Sequence, residues 1–118
     1  MTLTLSIDET DTLVVNLREG DVETSLGARP ASAAIRSLTR AIVDAGEGGA
    51  EGYGDCYWPG SNGGQYWWIF KRNAETVEVV ALWTRGGVSI YEHVFRATDA
   101  YAWVRERLDD ETRRVQLQ

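Results

Sequence analysis

The residues of this chain that could do nucleophilic chemistry are few, because it contains one cysteine and one histidine. Cys56 and His93, with an acid such as Asp55 nearby, could in principle form a thiol nucleophile activated by a base. No recognisable motif surrounds Cys56, and we interpret the pair as a loop thiol and a strand histidine. The same two side chains supply too few ligands for a transition-metal site, so no metal and no cofactor are predicted.

Two carboxylates offer a second route to acid–base chemistry. Glu78 and Glu92 fall on neighbouring predicted strands among apolar residues, where a carboxylate can have a raised pKa and act as an acid. Each could instead pair with an arginine such as Arg72 or Arg96, and this ion pairing is the interpretation that we favour. No catalytic residue is therefore assigned.

The glycine-rich segment GEGGAEGYGD, residues 46–55, is the natural place to look for a phosphate or calcium loop. It lacks the GxxxxGK[ST] pattern and any basic residue, and its acids would repel a phosphate. The stretch from Asp44 to Asp55 has the length of a calcium loop, but glycines stand where oxygen ligands are needed, and the last position is Asp rather than Glu. We therefore predict that residues 46–64 form a long glycine-rich loop.

Length and composition predict a single domain covering residues 1–118. No apolar run approaches the roughly 18 residues of a membrane span, and the chain does not open like a signal peptide. The single cysteine excludes an internal disulfide, and these features together predict a cytoplasmic protein. Eleven arginines against one lysine favour a bacterial source with a GC-rich genome.

The net charge of −6 is distributed unevenly. Residues 1–55 carry ten acidic residues and four arginines, whereas residues 56–118 carry eight acidic and eight basic residues. An acidic half repels phosphate backbones, so direct nucleic-acid binding is disfavoured and no membrane partner is predicted. It would attract a basic protein partner and accelerate encounter with it, although the same charge also serves solubility.

Hydrophobic periodicity predicts the element order ββ(β)-α-βββ-α. Alternation predicts strands at 2–7, 12–17, 65–72, 76–84 and 88–96, with a further short strand at 22–26. Steps of three and four residues predict helices at 30–46 and 99–114, the second capped by Thr98. This order predicts an α+β, two-layer fold: one antiparallel sheet of five to six strands with two helices on one face.

Seven of the twelve aromatic residues fall within GYGDCYWPGSNGGQYWWIF, residues 52–70. Neighbours on a strand point to opposite faces, so Trp67 and Trp68 must enter different layers. Two helices can cover only one face of the sheet, and the other face should then expose aromatic and aliphatic area rimmed by charge. The alternative is that the 46–64 segment folds back over that face, and both remain open at this stage.

In size, charge and aromatic content the chain resembles bacterial immunity proteins of polymorphic or contact-dependent toxin systems. The local feature that carries the resemblance is YWWIFKRNAETVEVVALWTRGGVSIYEHVFRATD, residues 66–99. Such proteins are small single domains that bind and block a toxin, often a basic nuclease, and phage-encoded inhibitors of bacterial defence share the profile. The resemblance is one of class, and it carries over no functional residue.

What the resemblance implies is a small acidic protein-binding module, an inhibitor or immunity protein that binds and neutralises a partner such as a toxin and is not an enzyme. The residues predicted to bind the partner are Glu47, Glu51, Tyr53, Asp55, Tyr57, Trp58 and Trp67. The acids would steer a basic partner, and the aromatic residues would be its anchors.

The alternative function is a small ligand-binding domain or enzyme, with an aromatic-lined pocket and a carboxylate as acid or base. Tyr53, Tyr57, Trp58 and Trp67 would line that pocket. A homodimer formed through the sheet face that the helices leave uncovered is compatible with either function.

Overall fold

A computed structural model describes residues 1–60, 63–85 and 90–117. Over these residues the chain forms seven strands and two helices. In chain order they are β1 (Thr2–Ile7), β2 (Leu13–Glu19), β3 (Val22–Ala28), α1 (Ala31–Gly46), β4 (Glu51–Pro59), β5 (Gln65–Asn73), β6 (Thr76–Thr84), β7 (Glu92–Ala100) and α2 (Tyr101–Gln116). The α+β class is as predicted, but the prediction of a loop over residues 46–64 is wrong, because this segment contains the strand β4.

The strands form two antiparallel sheets, so the prediction of one sheet of five to six strands is wrong. The first sheet has the order β1-β2-β3, and the second has the order β4-β5-β6-β7. The strands β3 and β7 lie at facing edges of the two sheets, where the Thr24 hydroxyl donates to the Val94 carbonyl over 3.4 Å. Since no backbone ladder joins β3 to β7 among the described residues, the two sheets do not merge.

Both sheets contribute to one hydrophobic core together with the two helices. The three-stranded sheet buries its leucine and valine face, as the alternation predicts, and leaves a polar face in solvent. Its fully buried members are Leu5, Leu13, Val15, Leu17 and Leu26. The inward side chains of the four-stranded sheet complete this core from the other side.

Helix α1 closely matches the predicted helix over 30–46 and ends at Gly46, the predicted stop. Its buried stripe consists of Ala31, Ala34, Ile35, Leu38, Ala41, Ile42 and Ala45. Four of these seven are alanines, so the helix can approach the sheet closely. The Tyr101 hydroxyl donates to the carbonyl of Ile42 over 2.7 Å and thereby ties the start of α2 to α1.

The last strand and helix lie later in the chain than predicted. Strand β7 continues to Ala100, because Arg96–Ala100 pairs with Thr76–Val80 on β6. Thr98 therefore lies within a strand and does not cap the helix, which begins at Tyr101 without a side-chain cap. Part of the predicted strand 88–96, and the turn before it, fall on residues 86–89, outside the described residues.

In the described part of the chain, neither helix is long and apolar enough to cross a membrane. Both helices lie on the inward side of the four-stranded sheet, where α1 packs on β4 and β5 and α2 packs on β6 and β7. Helix α2 also packs on β1 of the three-stranded sheet. Among the described residues, no helix therefore covers the outward side of the four-stranded sheet.

Candidate functional site

Strand β4 is built from two alternating sets of side chains with opposite roles. The inward set is Gly52, Gly54, Cys56 and Trp58, and the outward set is Glu51, Tyr53, Asp55, Tyr57 and Pro59. A Cβ atom at Gly54 would lie 1.8 Å from the carbonyl oxygen of Ala41, and one at Gly52 would lie 1.9 Å from that of Ala45. The two glycines therefore let α1 lie directly on β4 while tyrosines and an acid face outward.

We call the outward side of the four-stranded sheet the outer face. Its central side chains are Tyr53, Asp55, Tyr57, Trp67, Ile69, Val80 and Leu82, with Tyr91 from the segment before β7. The aliphatic members are buried although no helix covers them, since Trp67 and Tyr91 pack over them. Tyr53 and Tyr57 are each 50% exposed.

Three rings form a row across the outer face. Tyr57 stacks on Trp67 with ring centroids 5.5 Å apart and planes inclined by 14°. Trp67 in turn meets Tyr91 edge to face, with a centroid distance of 5.3 Å. Aromatic pairs of this kind fix one another's orientation, so the row is a rigid apolar surface.

Asp55 lies beside this row and is held by neutral donors. Its Oδ2 atom accepts the indole N–H of Trp67 at 2.9 Å and the hydroxyl of Tyr53 at 3.2 Å. Partial burial, followed by the charge of Asp55, raises the pKa of the phenols of Tyr53 and Tyr57 above the usual value. Both tyrosines therefore remain neutral at physiological pH, and Tyr53 acts as a hydrogen-bond donor to the carboxylate.

No cation among the described residues pairs with Asp55, whereas other carboxylates of the fold are paired. Arg96 donates twice to Glu78 Oε2, at 3.1 and 2.8 Å, as the ion-pair interpretation of Glu78 predicted. Glu111 pairs with Arg114 at 3.1 Å. Asp55 thus presents an uncompensated negative charge at the edge of an aromatic surface.

The other two acids predicted to steer a partner lie at different places in the fold. Glu51 is exposed at the start of β4 and points to the same side as Asp55. Glu47 is exposed at the C-terminal end of α1, before the strand begins. Within the described residues neither forms a salt bridge, so their charges add to the acidic side of the molecule.

Trp58 does not belong to the site, and its predicted role as an exposed anchor is wrong. It points inward with only 1% of its surface exposed, and its indole N–H donates to the Ser37 hydroxyl at 2.9 Å. It also meets Trp68 edge to face at 5.2 Å. Because Tyr57 and Trp58 are neighbours on a strand, the outward placement of Tyr57 forces Trp58 into the core.

Tyr91 is a member of the surface that sequence reasoning missed. A shift of register between Ala81 and Leu82 places His93 opposite Leu82 and Phe95 opposite Ala81. The side chains of His93 and Phe95 therefore lie on opposite faces, although simple alternation predicts one face for both. Period-two counting across this irregularity could not assign Tyr91.

The candidate catalytic groups are not brought together. Cys56 faces the core, and burial raises the pKa of its thiol to about 12, whereas His93 lies opposite the outward-facing Leu82. Glu92 lies opposite Trp83 and Glu78 lies opposite Thr98, so the two carboxylates are at opposite ends of the β6–β7 ladder. Within residues 1–60, 63–85 and 90–117, no group of three or more His, Cys, Asp or Glu side chains is arranged to hold a metal ion.

The predicted pocket does not form as a single cavity, although Tyr53 lines a shallow groove together with Glu51 and Lys71. Tyr53, Tyr57 and Trp67 lie on the open outer face while Trp58 is in the core, so these four side chains line no common pocket. A groove of about 410 Å³ runs between the end of β3 and the β4–β5 turn. Its lining comprises Thr12, Gly27, Ala28, Arg29, Pro59, Gly60, Tyr66 and Trp83.

Comparison of the chain with protein-family models, with curated proteins and with solved structures finds no match. The function is therefore argued from the outer face itself.

Proposed function

We propose that this protein is a small acidic protein-binding module, an inhibitor or immunity protein that binds and neutralises a partner such as a toxin. It binds that partner through the outer face. The observation that carries the proposal is the aromatic row of Tyr57, Trp67 and Tyr91 beside the unpaired Asp55, on a sheet face that no helix covers. Exposed apolar surface rimmed by polar groups marks interaction sites.

The two sheets of the same molecule provide an internal comparison. On the three-stranded sheet most outward positions are polar, as expected of a solvated antiparallel face, and Val14 is an apolar exception. The polar positions include Thr2, Thr4, Ser6, Asn16 and Ser25. On the four-stranded sheet the central outward positions carry aromatic and aliphatic side chains, and charged residues such as Lys71, Glu78 and Arg96 lie around them. Solubility alone gives no reason for that difference, whereas tyrosine and tryptophan are favoured anchors of protein interfaces.

Charge supports a basic partner. The first 55 residues carry the whole excess of negative charge, and the outward positions of β4 include Glu51 and Asp55. Complementary charge steers diffusional encounter and gives specificity, while the buried anchors supply most of the affinity. A basic toxin such as a nuclease fits both requirements.

The proposal is tested by co-expression. Candidate toxins, beginning with proteins encoded beside this gene, are expressed in bacteria with this protein or with its Tyr57→Ala variant. Rescue of growth by the wild type and its loss with Tyr57→Ala is the expected result. The matched control is Thr4→Ala, on the outward side of the other sheet, which should rescue fully. Equal rescue by wild type and Tyr57→Ala would show that the partner does not bind through the outer face.

A second candidate function, a small ligand-binding domain, is supported by the groove of about 410 Å³. The groove has two aromatic walls, Tyr66 and Trp83, whose ring centroids are 4.8 Å apart, and one cation, Arg29. Its described lining residues include no carboxylate, so an acid–base enzyme has no support there. Thermal-shift screening of small anions against wild type and Arg29→Ala separates this function from partner binding.

A further inference from the structure

Each sheet has two edge strands, and the free backbone groups of an edge are a template for pairing with another chain. In this fold the edge strands are β1 and β3 in the first sheet and β4 and β7 in the second. The edge of β1 is covered by a helix, and the edges of β3 and β7 contact each other.

The edge of β1 is satisfied by side chains from α2. The backbone N–H of Leu5 donates to Glu111 Oε1 at 2.9 Å, and the Leu3 carbonyl accepts from Arg107 Nε at 3.1 Å. Arg114 donates to the Leu5 carbonyl. One face of the helix therefore takes the place of a neighbouring strand. The edges of β3 and β7 are turned towards each other, as the bond between Thr24 and Val94 shows.

The outward edge of β4 has no such cover. Gly60 N–H donates to the Gly64 carbonyl at 2.8 Å, and Ala74 N–H donates to the Ala50 carbonyl at 2.6 Å, which fixes the phase of the β4–β5 ladder. Even-numbered residues of β4 therefore bond to β5, and the odd-numbered residues direct their N–H and C=O groups to the free edge. Among the described residues, none donates to or accepts from those groups.

Proline at the end of the strand agrees with this phase. Pro59 is odd-numbered, so the N–H that it lacks would have pointed away from β5, and the ladder loses no bond. The free positions that remain are Glu51, Tyr53, Asp55 and Tyr57, whose side chains all lie on the outer face. The edge and the candidate surface are therefore continuous.

We propose that an extended basic segment of the partner adds to β4 as a fifth strand, with arginine or lysine side chains beside Asp55 and Glu51. This inference rests on the proposed function and specifies how the partner binds. Side chains of an added strand stand directly beside those of β4 on the same face, where opposite charges attract and like charges repel. If β4 of a second copy of this chain paired here, the carboxylates of Glu51 and Asp55 would lie beside other carboxylates and repel them. The charges therefore favour a basic protein segment as the occupant.

The test uses a nine-residue peptide that alternates arginine and threonine, titrated into the ¹⁵N-labelled full chain. Two N-methylated forms are compared, one methylated at the odd and one at the even backbone amides. If the peptide pairs with β4 along one of its own edges, one methylated form should bind the protein at least tenfold more weakly than the unmethylated peptide. The other form should keep its affinity. Binding should also slow hydrogen exchange at the amides of Tyr53, Asp55 and Tyr57 at least tenfold.

Matched variants of the protein sharpen this test. Both Tyr53→Pro and Tyr53→Ala remove the ring, but only Tyr53→Pro also removes the N–H that points to the free edge. Tyr53→Pro should therefore bind the peptide more weakly than Tyr53→Ala does. A peptide of the same composition with its arginines in one block controls for charge and should bind more weakly.

Several results would overturn strand addition. These are equal binding of both methylated forms, equal binding of Tyr53→Pro and Tyr53→Ala, absence of binding, and protection of the β4 amides by self-association. If a toxin is nevertheless neutralised in a manner that depends on Tyr57, the proposed function stands and only strand addition fails. If neutralisation does not depend on Tyr57, the outer face itself is excluded.

Discussion

Trp67 donates its indole N–H to Asp55 Oδ2 over 2.9 Å, diagonally across the β4–β5 pair. The bond fixes both partners: the ring is oriented for stacking on Tyr57, and the carboxylate is held in place without a cation. Asp55 can therefore accept a cation from another molecule without first breaking a salt bridge of its own. This distinguishes it from Glu78, whose charge is already compensated by Arg96.

We expect Asp55→Asn to weaken binding of a basic partner about tenfold or more, because it removes the charge and keeps an oxygen that can accept from Trp67. The loss should appear partly in the association rate and should shrink as salt is raised. Stopped-flow kinetics at two ionic strengths measures both. The control is Asp21→Asn, which removes the same charge from the β2–β3 turn; an equal loss there would mean that only net charge matters.

We expect Gly54→Ala to lower the free energy of unfolding by about 1–3 kcal/mol, since the added methyl group would collide with the Ala41 backbone carbonyl. Gly27→Ala is the matched control. Its Cβ would lie 3.2 Å from the Thr12 methyl group, a side-chain atom that can yield, and 3.5 Å from the Leu13 carbonyl oxygen, an ordinary van der Waals contact. Urea denaturation compares the two variants. Equal stabilities would show that α1 does not rest on β4 as closely as described.

Lowering the pH should protonate Glu111 and thereby weaken the attachment of α2 to β1. Hydrogen bonds from Arg114, and then from the Leu5 backbone, hold the pKa of this carboxyl below its ordinary value of 4.5. Its contribution to stability is therefore full above pH 4.5 and is lost as the pH falls through the lowered folded-state pKa. Glu111→Gln should be less stable at pH 7 by about 1–3 kcal/mol and should flatten the acid limb of the stability curve. An unchanged acid limb in denaturation measured from pH 7 to pH 3 would contradict this role.

Cys56 should be nearly inert in the folded protein. Burial raises the pKa of its thiol to about 12, so iodoacetamide at pH 8 should react at least about a hundredfold more slowly in buffer than in urea. Because this pKa is raised on folding, the stabilising contribution is full below the unfolded value near 9.0 and is lost as the pH rises above it. The raised pKa values of Tyr53 and Tyr57 act in the same direction. Rapid labelling of the native protein would contradict the buried position of the thiol.

Local periodicity predicted most elements of this fold, and its failures have physical causes. Helix α1 and strands β1, β5 and β6 follow from clean three-to-four or two-residue repeats in apolar residues. Strand β4 is not evident from the sequence because two of its four inward positions, Gly52 and Gly54, are glycines that allow a helix to approach closely, so its alternation is not one of hydrophobicity. The strands form two sheets because β3 and β7 contact each other without pairing. A local sequence pattern cannot predict this, since the contact joins residues that are far apart in the sequence.

The candidate site was predicted in part for the same reasons. The alternation around Trp67 and Trp68 correctly indicated that one enters the core and the other faces outward. The opposite placements of Tyr57 and Trp58 could not be assigned while their segment was taken for a loop. Tyr91 and His93 escaped because the register shift between β6 and β7 interrupts the alternation.

The central claim is that the partner binds the outer face. The measurement that tests it most directly is calorimetric titration of the partner identified by co-expression into wild type, Tyr57→Ala and Thr4→Ala. Tyr57 is half exposed, so its truncation should leave the free energy of unfolding within about 1 kcal/mol of wild type. The account predicts that Tyr57→Ala binds at least about thirtyfold more weakly, as expected for an anchor, while Thr4→Ala binds like wild type. Unchanged affinity of a folded Tyr57→Ala variant would show that the partner binds elsewhere than on the outer face.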